Sequence, residues 1–496
     1  MVPTELTAEP SLLARKSTFW CVALLIAVLF SVANLPWTLD NYDQAKQAFT
    51  SYEMVTQGHW LYQHTPKGRL ATKPPLVGWI SAGVYALTRN WEIAWRLPSL
   101  GAALLLAFAL TRSATKAYGA IAGTIALSAF GLNLLAPRLA SLARTDMPLA
   151  SVATLLGLKI WDKVRTGETW QRRDRLEMFA LLTAALLIKG PIVYAFILPG
   201  LVAFECWRRA ANAAHPHGWG GWWPWLLSAV IFLAWVLGGI WWIPWFYDEV
   251  VVREFAGRFG ETIHQTQPLY FYVPHLLHKF APWSVLSVAL VVLAWRLGRE
   301  PLRERLQRIS ADTAWLICWS IGGLLMMSVI PSKRVDRIFP IVPPLCLLLA
   351  SVVSTLANVP KLRRTVLLWS GVALLVAAIG ITTFTGYRVV SGYRGHNDAL
   401  VRFGADVRRQ AALKGWRYEV IGWREEGLLL YLRRDRFLEP KEAIARWAAG
   451  TLDAVVVPAD DASALLTRMP GAVVSTRGEA ISGVNPTRPY VLLTRG

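Results

Sequence analysis

Charged residues are scarce in this chain. Lysine, arginine, aspartate and glutamate make up 17% of its 496 residues, whereas soluble domains carry about 25%. The charges are also segregated, because long apolar runs alternate with short basic strings. This pattern argues against an ordinary soluble protein and predicts an α-helical protein that crosses a membrane several times.

Cysteine is rare, and nucleotide-binding motifs are missing. The four cysteines lie inside or at the edge of apolar runs and form no CxxC pair, at Cys21, Cys206, Cys318 and Cys346. We interpret them as reduced, buried side chains with no disulfide and no zinc site. The chain has no GxxxxGK[ST] loop and no GxGxxG between a strand and a helix. It therefore carries no motif for ATP or a nucleotide-sugar donor.

The net charge of +20 is concentrated in short loops, such as those at 172–175 and 296–308. Basic loops that face anionic lipid set the topology of a membrane protein. The charge therefore needs no nucleic-acid partner, and we expect none.

Eleven apolar runs approach the length needed to cross a bilayer core of roughly 30 Å. They lie at 19–36, 97–112, 117–135, 147–161, 176–189, 191–207, 223–246, 280–297, 313–331, 338–357 and 364–385. No small-residue cleavage site follows the first run, so we expect a transmembrane helix there rather than a cleaved signal. If the N-terminal basic residues are cytoplasmic, the charge rule puts 37–96 on the outer side. The apolar run at 75–88 is then a helix that lies at the outer interface.

The same topology puts further stretches on the outer face, at 136–146, 247–279 and 332–337. The last, SKRVDR, is basic on the wrong side of the membrane, and such a local violation is where function is expected. We divide the chain into a transmembrane domain, 1–385, and an outer α/β domain, 386–496. In that tail, 396–416 and 439–450 look helical, and 418–423, 428–434, 453–459 and 490–495 look like strands.

Two aspartates occupy helix starts on the predicted outer face. Asp43 begins an amphipathic stretch directly after the first apolar run, and Asp146 stands two residues before Pro148. Either can be a helix cap, or a general base worth about 10²–10⁴ in rate. Lys46 lies one turn after Asp43 and can keep its carboxylate ionised.

Several cations share this face. Lys73 precedes two prolines, Lys189 ends an apolar run, and the others are Arg253, Arg258, Lys333, Arg334 and Arg337. Such cations can contact lipid headgroups, snorkel, or clamp one phosphate. Carboxylates and phosphate-binding cations at one leaflet suggest a transferase with a lipid-phosphate donor.

The stretch YDQAKQAFTSYEMVTQGHW, 42–60, resembles the first outer loop of the GT-C glycosyltransferases related to protein O-mannosyltransferases and to the aminoarabinose transferases of lipid A. Further blocks follow in the family's order: KPPLVGW, EIAWRLPSL, RTDMPL, KGP, REFAGRF, PLYFYV, APWS and SKRVDRIFPIVPPL. The resemblance covers residues 19 to about 357. It implies the GT-C fold, with about 11 to 13 transmembrane helices and interfacial helices in the first outer loop.

The resemblance also implies site residues. Asp43 matches the catalytic carboxylate of the first loop, Asp146 the acidic residue of the second, and Lys73 the lysine beside the lipid phosphate. The remaining candidates are Arg258, Arg337 and Lys333 for the donor phosphate, and Gln44, Lys46, Glu53, Lys189 and Glu254 as further site residues.

This chain departs from the family pattern at two positions that bear on metal binding. Gln44 replaces an acid, and Phe255 stands after Glu254 where relatives often have histidine. We therefore do not predict a required metal, although a divalent metal can still be accommodated, and we interpret His264 and His278 as polar interface residues.

The expected function is that of a membrane glycosyltransferase. It moves a sugar from a polyprenyl-phosphate donor to a lipid, glycan or protein acceptor, with inversion by analogy to the family. We expect a monomer in the bacterial inner membrane, with its active site and tail in the periplasm. The alternatives are a flippase or transporter of lipid-linked sugars, which should show repeated halves or midplane charges, and an anchored scaffold. The sequence leaves the sugar and the acceptor open.

Overall fold

The computed structural model describes residues 11–39, 42–211, 217–256, 266–297, 309–422, 425–481 and 488–496. Helices dominate up to Arg394, and a small mixed domain follows. The helices of the first part are α1 Lys16–Val32, α2 Tyr42–Gln57, α3 Leu76–Thr88, α4 Trp91–Tyr118, α5 Ala120–Gly131, α6 Ala136–Ala140, α7 Asp146–Thr166, α8 Arg172–Lys189, α9 Ile192–Ala210, α10 Trp223–Trp242, α11 Tyr272–Lys279, α12 Trp283–Leu297, α13 Ala311–Val329, α14 Val342–Ala357 and α15 Pro360–Arg394. A π-helix at Tyr247–Ala256 and 3-10 segments at Leu12–Ala14, Leu269–Phe271 and Val335–Ile341 complete it.

Each of the eleven apolar runs overlaps one of these helices. Among the described residues, five helices are long and apolar enough to cross a membrane, or six if the bent pair Leu269–Lys279 and Trp283–Arg296 counts as one span. The five are Trp91–Tyr118, Trp223–Trp242, Ala311–Val329, Val335–Ala357 and Pro360–Arg394. The chain is therefore a multi-pass membrane protein, and the number of spans stays a prediction.

The prediction that all four cysteines are buried is wrong. Only Cys346 is buried, Cys318 is half-buried, and Cys21 and Cys206 are exposed on the outside of their helices. The outer side of a membrane helix contacts lipid, so an apolar run there does not distinguish buried from exposed positions. All four are free thiols, as the sequence predicts.

Glycines let two central helices cross closely. A Cβ at Gly322 of α13 would lie 2.5 Å from the backbone nitrogen of Gly200 in α9. A Cβ at Gly200 would lie 2.7 Å from the Cα of Trp319. Apolar burial does not drive helices together in lipid, so their association depends on close van der Waals packing. Small residues such as these glycines allow the two backbones to come into that contact.

The tail forms a four-stranded sheet in the order β1-β2-β4-β3, with helices around it. Strands β1 and β2 are parallel, and β4 runs antiparallel to both β2 and β3. Its elements are α16 Ala399–Lys414, β1 Tyr418–Val420, α17 Glu426–Leu432, α18 Pro440–Ala448, β2 Ala454–Pro458, α19 Ala459–Leu466, β3 Ala472–Arg477 and β4 Tyr490–Arg495.

One predicted strand is wrong. The run 428–434 lies largely in helix α17, whose residues are all buried. A short apolar run that is buried on every side has no period, so sequence alone cannot distinguish strand from helix. The sequence pattern does not predict strand β3. Helix α15 continues past the predicted domain boundary at 385, to Arg394.

The tail packs directly on α2. Phe49 of α2 and Leu428 of α17 belong to one buried apolar cluster. The backbone N–H of Leu39 donates to the Tyr431 hydroxyl, and a Cβ at Gly427 would lie 2.8 Å from the Leu39 carbonyl oxygen. The helix that carries Asp43 in its first turn is therefore supported by the tail.

Candidate active site

A polar cavity of about 350 Å³ opens where α2, α7, α8, the π-helix and the 3-10 segment 335–341 meet. We call it the chamber. Its walls hold seven cationic side chains and four carboxylates, a formal excess of three positive charges. The ionisable residues are Asp43, Lys46, Lys73, Arg144, Asp146, Lys189, Arg253, Glu254, Arg334, Asp336 and Arg337. Segments that are remote from one another in sequence thus build a site that favours an anion.

Two aspartates and two arginines alternate in a closed ring of ion pairs. Arg334 Nη1 donates to Asp43 Oδ2 at 2.7 Å, and Arg334 Nη2 to Asp336 Oδ2 at 3.1 Å. Arg144 Nη1 reaches the same oxygen of Asp336 at 2.7 Å, and its Nη2 reaches Asp43 Oδ2 at 3.1 Å. Each planar guanidinium thus holds both carboxylates, which fixes the Asp43 side chain in the chamber wall.

The ring controls the charge of Asp43. Burial raises the pKa of this carboxyl, but the hydrogen bond and charge of Arg334, with the charge of Arg144, outweigh burial, so the pKa lies below its usual value. Asp43 is also in the first turn of α2, where the helix dipole favours a negative charge. The cations that lower the pKa of Asp43 most are Arg334 and Arg144, which come from other segments of the chain. Lys46, which the sequence suggests for this role, lies in the chamber wall.

Asp146 pairs with Lys189 at the junction of α7 and α8. The Lys189 Nζ donates to Asp146 Oδ1, and both side chains are nearly buried. Asp146 is not the N-cap of α7, because Thr145 holds that position. Lys189 is the last residue of α8, and Gly190 follows with φ +73°, a positive φ that glycine adopts without strain. Asp146 and Lys189 thus lie together in the chamber wall, and the site role of each stays a prediction.

Lys73 is anchored by the π-helix. Its Nζ lies 2.7 Å from Glu254 Oε1, which also accepts a 2.5 Å hydrogen bond from the Thr72 hydroxyl. π-Helices are rare and occur frequently at functional sites. Two prolines follow Lys73, and α3 begins at Leu76 directly after them.

A second cavity, of about 370 Å³, adjoins the chamber and is apolar along most of its length. We call it the groove. The two share Thr72, Lys73, Lys189, Glu254 and Arg337. The rest of the groove is lined by Pro74, Leu149, Gly190, Pro191, Ile192, Tyr194, Ala195, Phe196, Leu198, Pro199, Phe232, Trp235, Val236, Val250, Val251, Met326 and Ile330. Three cations thus stand where an apolar groove meets a polar chamber.

Other candidate residues lie away from these walls. Lys333 is buried and donates to the Gln267 carbonyl at 2.8 Å, and it is absent from the described lining of both cavities. Gln44 is buried and accepts from the Ala143 N–H at 3.2 Å. Glu53 contacts two histidines outside the chamber.

The structure describes only one of three further residues that the sequence singles out. Arg258 and His264 lie outside the described residues. His278 is exposed near the end of α11.

Two residues of the ion-pair ring, Arg144 and Asp336, are not among the site residues predicted from the sequence. Arg144 stands two residues before Asp146 in RTDMPL, and Asp336 is the acid within SKRVDR. Each of them lies in a block whose predicted site residues carry the other sign of charge: Arg144 beside Asp146, and Asp336 among the cations of SKRVDR. A buried charge needs a partner of opposite sign, so this juxtaposition is the signal that could have identified them.

Aminoarabinose transferases are among the known proteins that this chain resembles. An undecaprenyl phosphate-α-4-amino-4-deoxy-L-arabinose arabinosyl transferase of Pseudomonas fluorescens is 25% identical over 399 residues, 77% of this chain and 64% of that protein. The Shewanella sediminis enzyme of that name is 26% identical over 64% of this chain and 57% of its own. A Pseudomonas aeruginosa enzyme of that name is 27% identical over 83% of this chain and 73% of that protein. The chain thus spans about three fifths of the first two relatives. No family model matches it.

Solved structures share the fold. ArnT from Cupriavidus metallidurans bound to undecaprenyl phosphate superposes with a TM-score of 0.69 at 18% identity, over 97% of this chain and 98% of that one. The oligosaccharyltransferase of Archaeoglobus fulgidus in its apo form superposes with a TM-score of 0.54 at 13% identity, over 96% of this chain and 74% of that one. The fold prediction is confirmed: this chain is a multi-pass membrane protein with the GT-C glycosyltransferase fold, similar in sequence to the aminoarabinose transferases.

Proposed function

We propose that this protein is a membrane glycosyltransferase that takes its sugar from a polyprenyl phosphate. The single observation that carries the proposal is the shared mouth of the two cavities, where Lys73, Lys189 and Arg337 stand between the apolar groove and the charged chamber. A lipid phosphate has this division of chemistry, with an apolar chain on one side and an anionic group on the other.

The cations also fit the direction of the reaction. A sugar phosphodiester carries one negative charge, and the phosphate that leaves carries close to two. Positive charge in excess at the phosphate therefore stabilises the leaving group more than the donor, which is the condition for catalysis. The formal excess of three positive charges in the chamber supports this role.

Asp43 acts on the acceptor side of the sugar. Its carboxylate stays ionised because two arginines hold it, and a lowered pKa makes it a weak base at neutral pH. We therefore assign it to orienting the acceptor and to stabilising positive charge on the sugar ring as the bond to phosphate breaks. Asp146 is the second acidic group. The acceptor oxygen attacks the anomeric carbon from the face opposite the phosphate, so the new glycosidic bond forms as the bond to the phosphate oxygen breaks, and the anomeric centre is inverted. Undecaprenyl phosphate leaves, and a hydroxyl acceptor releases its proton to solvent.

The names of the relatives guide the choice of donor and acceptor. They favour undecaprenyl phosphate-4-amino-4-deoxy-L-arabinose as donor, and we propose lipid A or another envelope glycan as acceptor. The protein then works in the bacterial inner membrane, with the chamber and the tail on the periplasmic side, as the basic loops predict.

A reconstituted transfer assay tests the proposal. Purified protein in detergent is mixed with the aminoarabinose donor and lipid A, and products are identified by mass spectrometry. We expect lipid A to gain one aminopentose and undecaprenyl phosphate to be released. Donor that persists unchanged with lipid A and with a panel of envelope glycans would overturn the assignment. A flux of labelled donor across proteoliposomes without transfer would favour the flippase alternative.

A further inference from the structure

Two histidines converge on one glutamate outside the chamber. Glu53 lies near the end of α2, and His59 and His64 follow in the loop that leads to Lys73. One ligand atom from each residue lies within 4.8 Å of the other two. None of the three residues lines the chamber as described, so the function proposed above makes no use of this cluster.

The two imidazoles converge on one oxygen of the Glu53 carboxylate. His59 Nδ1 lies 2.9 Å and His64 Nδ1 lies 2.8 Å from the same oxygen, Glu53 Oε1. The other oxygen, Oε2, accepts the backbone N–H of His64 at 2.5 Å, which fixes the carboxylate orientation. Ligand atoms around a tetrahedral zinc ion are roughly 3.3 Å apart, given bonds of about 2.0–2.2 Å. Each imidazole nitrogen needs to withdraw from the carboxylate by only about half an ångström to admit an ion.

We propose that Glu53, His59 and His64 bind a divalent transition-metal ion, with zinc as the probe of choice. Two imidazoles and one carboxylate form a donor set that suits zinc and disfavours calcium and magnesium, which prefer oxygen ligands. The Glu53 side chain is 3% exposed, whereas His59 and His64 are 45% and 36% exposed. The buried carboxylate supplies the anchor, and the exposed imidazoles leave access for the ion and room for a water ligand.

The metal joins two parts of the protein that carry site residues. His64 forms an isolated β-bridge with Leu70, and the Ala71 N–H donates to the Gln63 carbonyl at 2.7 Å. This short hairpin runs directly into Lys73. Glu53 belongs to α2, the helix that holds Asp43 in its first turn. The ion therefore fixes the loop of Lys73 to the helix of Asp43, a structural role at a distance from the reacting atoms.

A matched control exists elsewhere in the chain. His217 Nδ1 lies 3.1 Å from Glu205 Oε2, but the third partner there is Arg208, whose Nε lies 3.0 Å from the same oxygen. The Arg208 guanidinium thus occupies the position that a second imidazole has in the Glu53 cluster. Because a guanidinium is positively charged and has no free lone pair to bind a metal, Glu205 and His217 should bind none.

Metal binding is measured on the full-length protein after removal of the affinity tag and dialysis against a chelator. Zinc chloride is titrated calorimetrically into the wild type, into His59→Ala with His64→Ala, and into His217→Ala, with zinc content checked by mass spectrometry. We expect one zinc ion per chain in the wild type and in His217→Ala. The double variant should bind more than about 100-fold more weakly, because even outer-shell partners of a metal contribute about 10- to 100-fold.

Thermal unfolding gives a second readout that does not depend on activity. Zinc should raise the Tm of the wild type and of His217→Ala but not that of the double variant. If the alanine double variant does not fold, His59→Gln with His64→Gln replaces it, since glutamine can still donate a hydrogen bond to Glu53 but is a poor zinc ligand.

Two results would overturn the site. One is equal zinc binding by the folded double variant. The other is a wild type that binds no zinc, nickel or cobalt and shows no Tm shift, in which case the cluster is a hydrogen-bonded link. Neither result bears on whether the chamber transfers sugar.

Discussion

Arg334 and Asp43 are 291 residues apart in the chain, yet their side chains lie 2.7 Å apart. Arg144 contacts the same carboxylate oxygen, and Asp336 bridges the two arginines on their other side. Three segments that are distant in sequence thus become one electrostatic unit in the chamber. Of the two aspartates in that unit, Asp43 is the one assigned to the reaction, so substitutions of Asp43 give the sharpest tests.

Asp43→Asn should reduce the transfer rate by at least about 10²-fold, because the amide keeps the shape of the side chain but removes its charge. Initial rates with the polyprenyl-phosphate sugar measure the effect. Asp453→Asn is the control: Asp453 also pairs with an arginine, Arg417, at 2.8 Å, but in the tail. Turnover in Asp43→Asn that matches the control would leave Asp43 with a structural role only.

The pH dependence of stability should reflect the lowered pKa of Asp43. The pKa in the folded protein lies below the ordinary value of 3.8, so the stabilisation by this carboxylate is fully present above about pH 4 and is lost as pH falls through the folded pKa. The Tm difference between wild type and Asp43→Asn should thus be constant from about pH 5 to 8 and shrink below about pH 4. A difference that changes within the upper range would place the titration elsewhere.

Lys73→Ala should weaken donor binding by about one to two decades, since a charge-assisted contact contributes about 1.5–3 kcal/mol. Binding of undecaprenyl phosphate is measured by titration in detergent. Lys116→Ala is a suitable control, because Lys116 is an exposed lysine whose Nζ lies 3.5 Å from Asp162 on α7. If both variants bind the donor as the wild type does, the phosphate lies elsewhere.

The crossing of α9 and α13 should not tolerate a side chain. Gly322→Ala forces a Cβ to within 2.5 Å of the Gly200 backbone nitrogen, and overpacking of this kind costs about 1–3 kcal/mol. Gly380→Ala on α15 meets nothing within 4 Å and should be neutral or slightly stabilising, because alanine favours a helix over glycine. Thermal unfolding of the two variants compares them, and equal Tm values would contradict the close crossing.

Local features of this protein can be predicted from its sequence, and long-range ones cannot. Apolar runs predict where the helices lie, since each of the eleven runs overlaps a helix. Asp43, Asp146 and Lys73 stand out because each lies beside an apolar run or a proline pair. Their partners do not stand out, since an arginine or a glutamate from a distant segment meets them only after the helices pack. Lys333 and Arg337 illustrate the same limit: their spacing does not reveal that, of the two, Arg337 reaches the chamber and Lys333 does not.

The packing of the tail on α2 has a consequence for biosynthesis. Asp43 is translated early, Arg144 follows after α6, Arg334 follows only after α13, and the tail that supports α2 emerges after α15. The chamber therefore reaches its final form only once the ribosome has finished the membrane helices. A nascent chain arrested at Arg394 already contains all four residues of the ion-pair ring but lacks the tail that packs on α2. We expect α2 to be unsupported in such a chain, which delays competence until the last domain has folded.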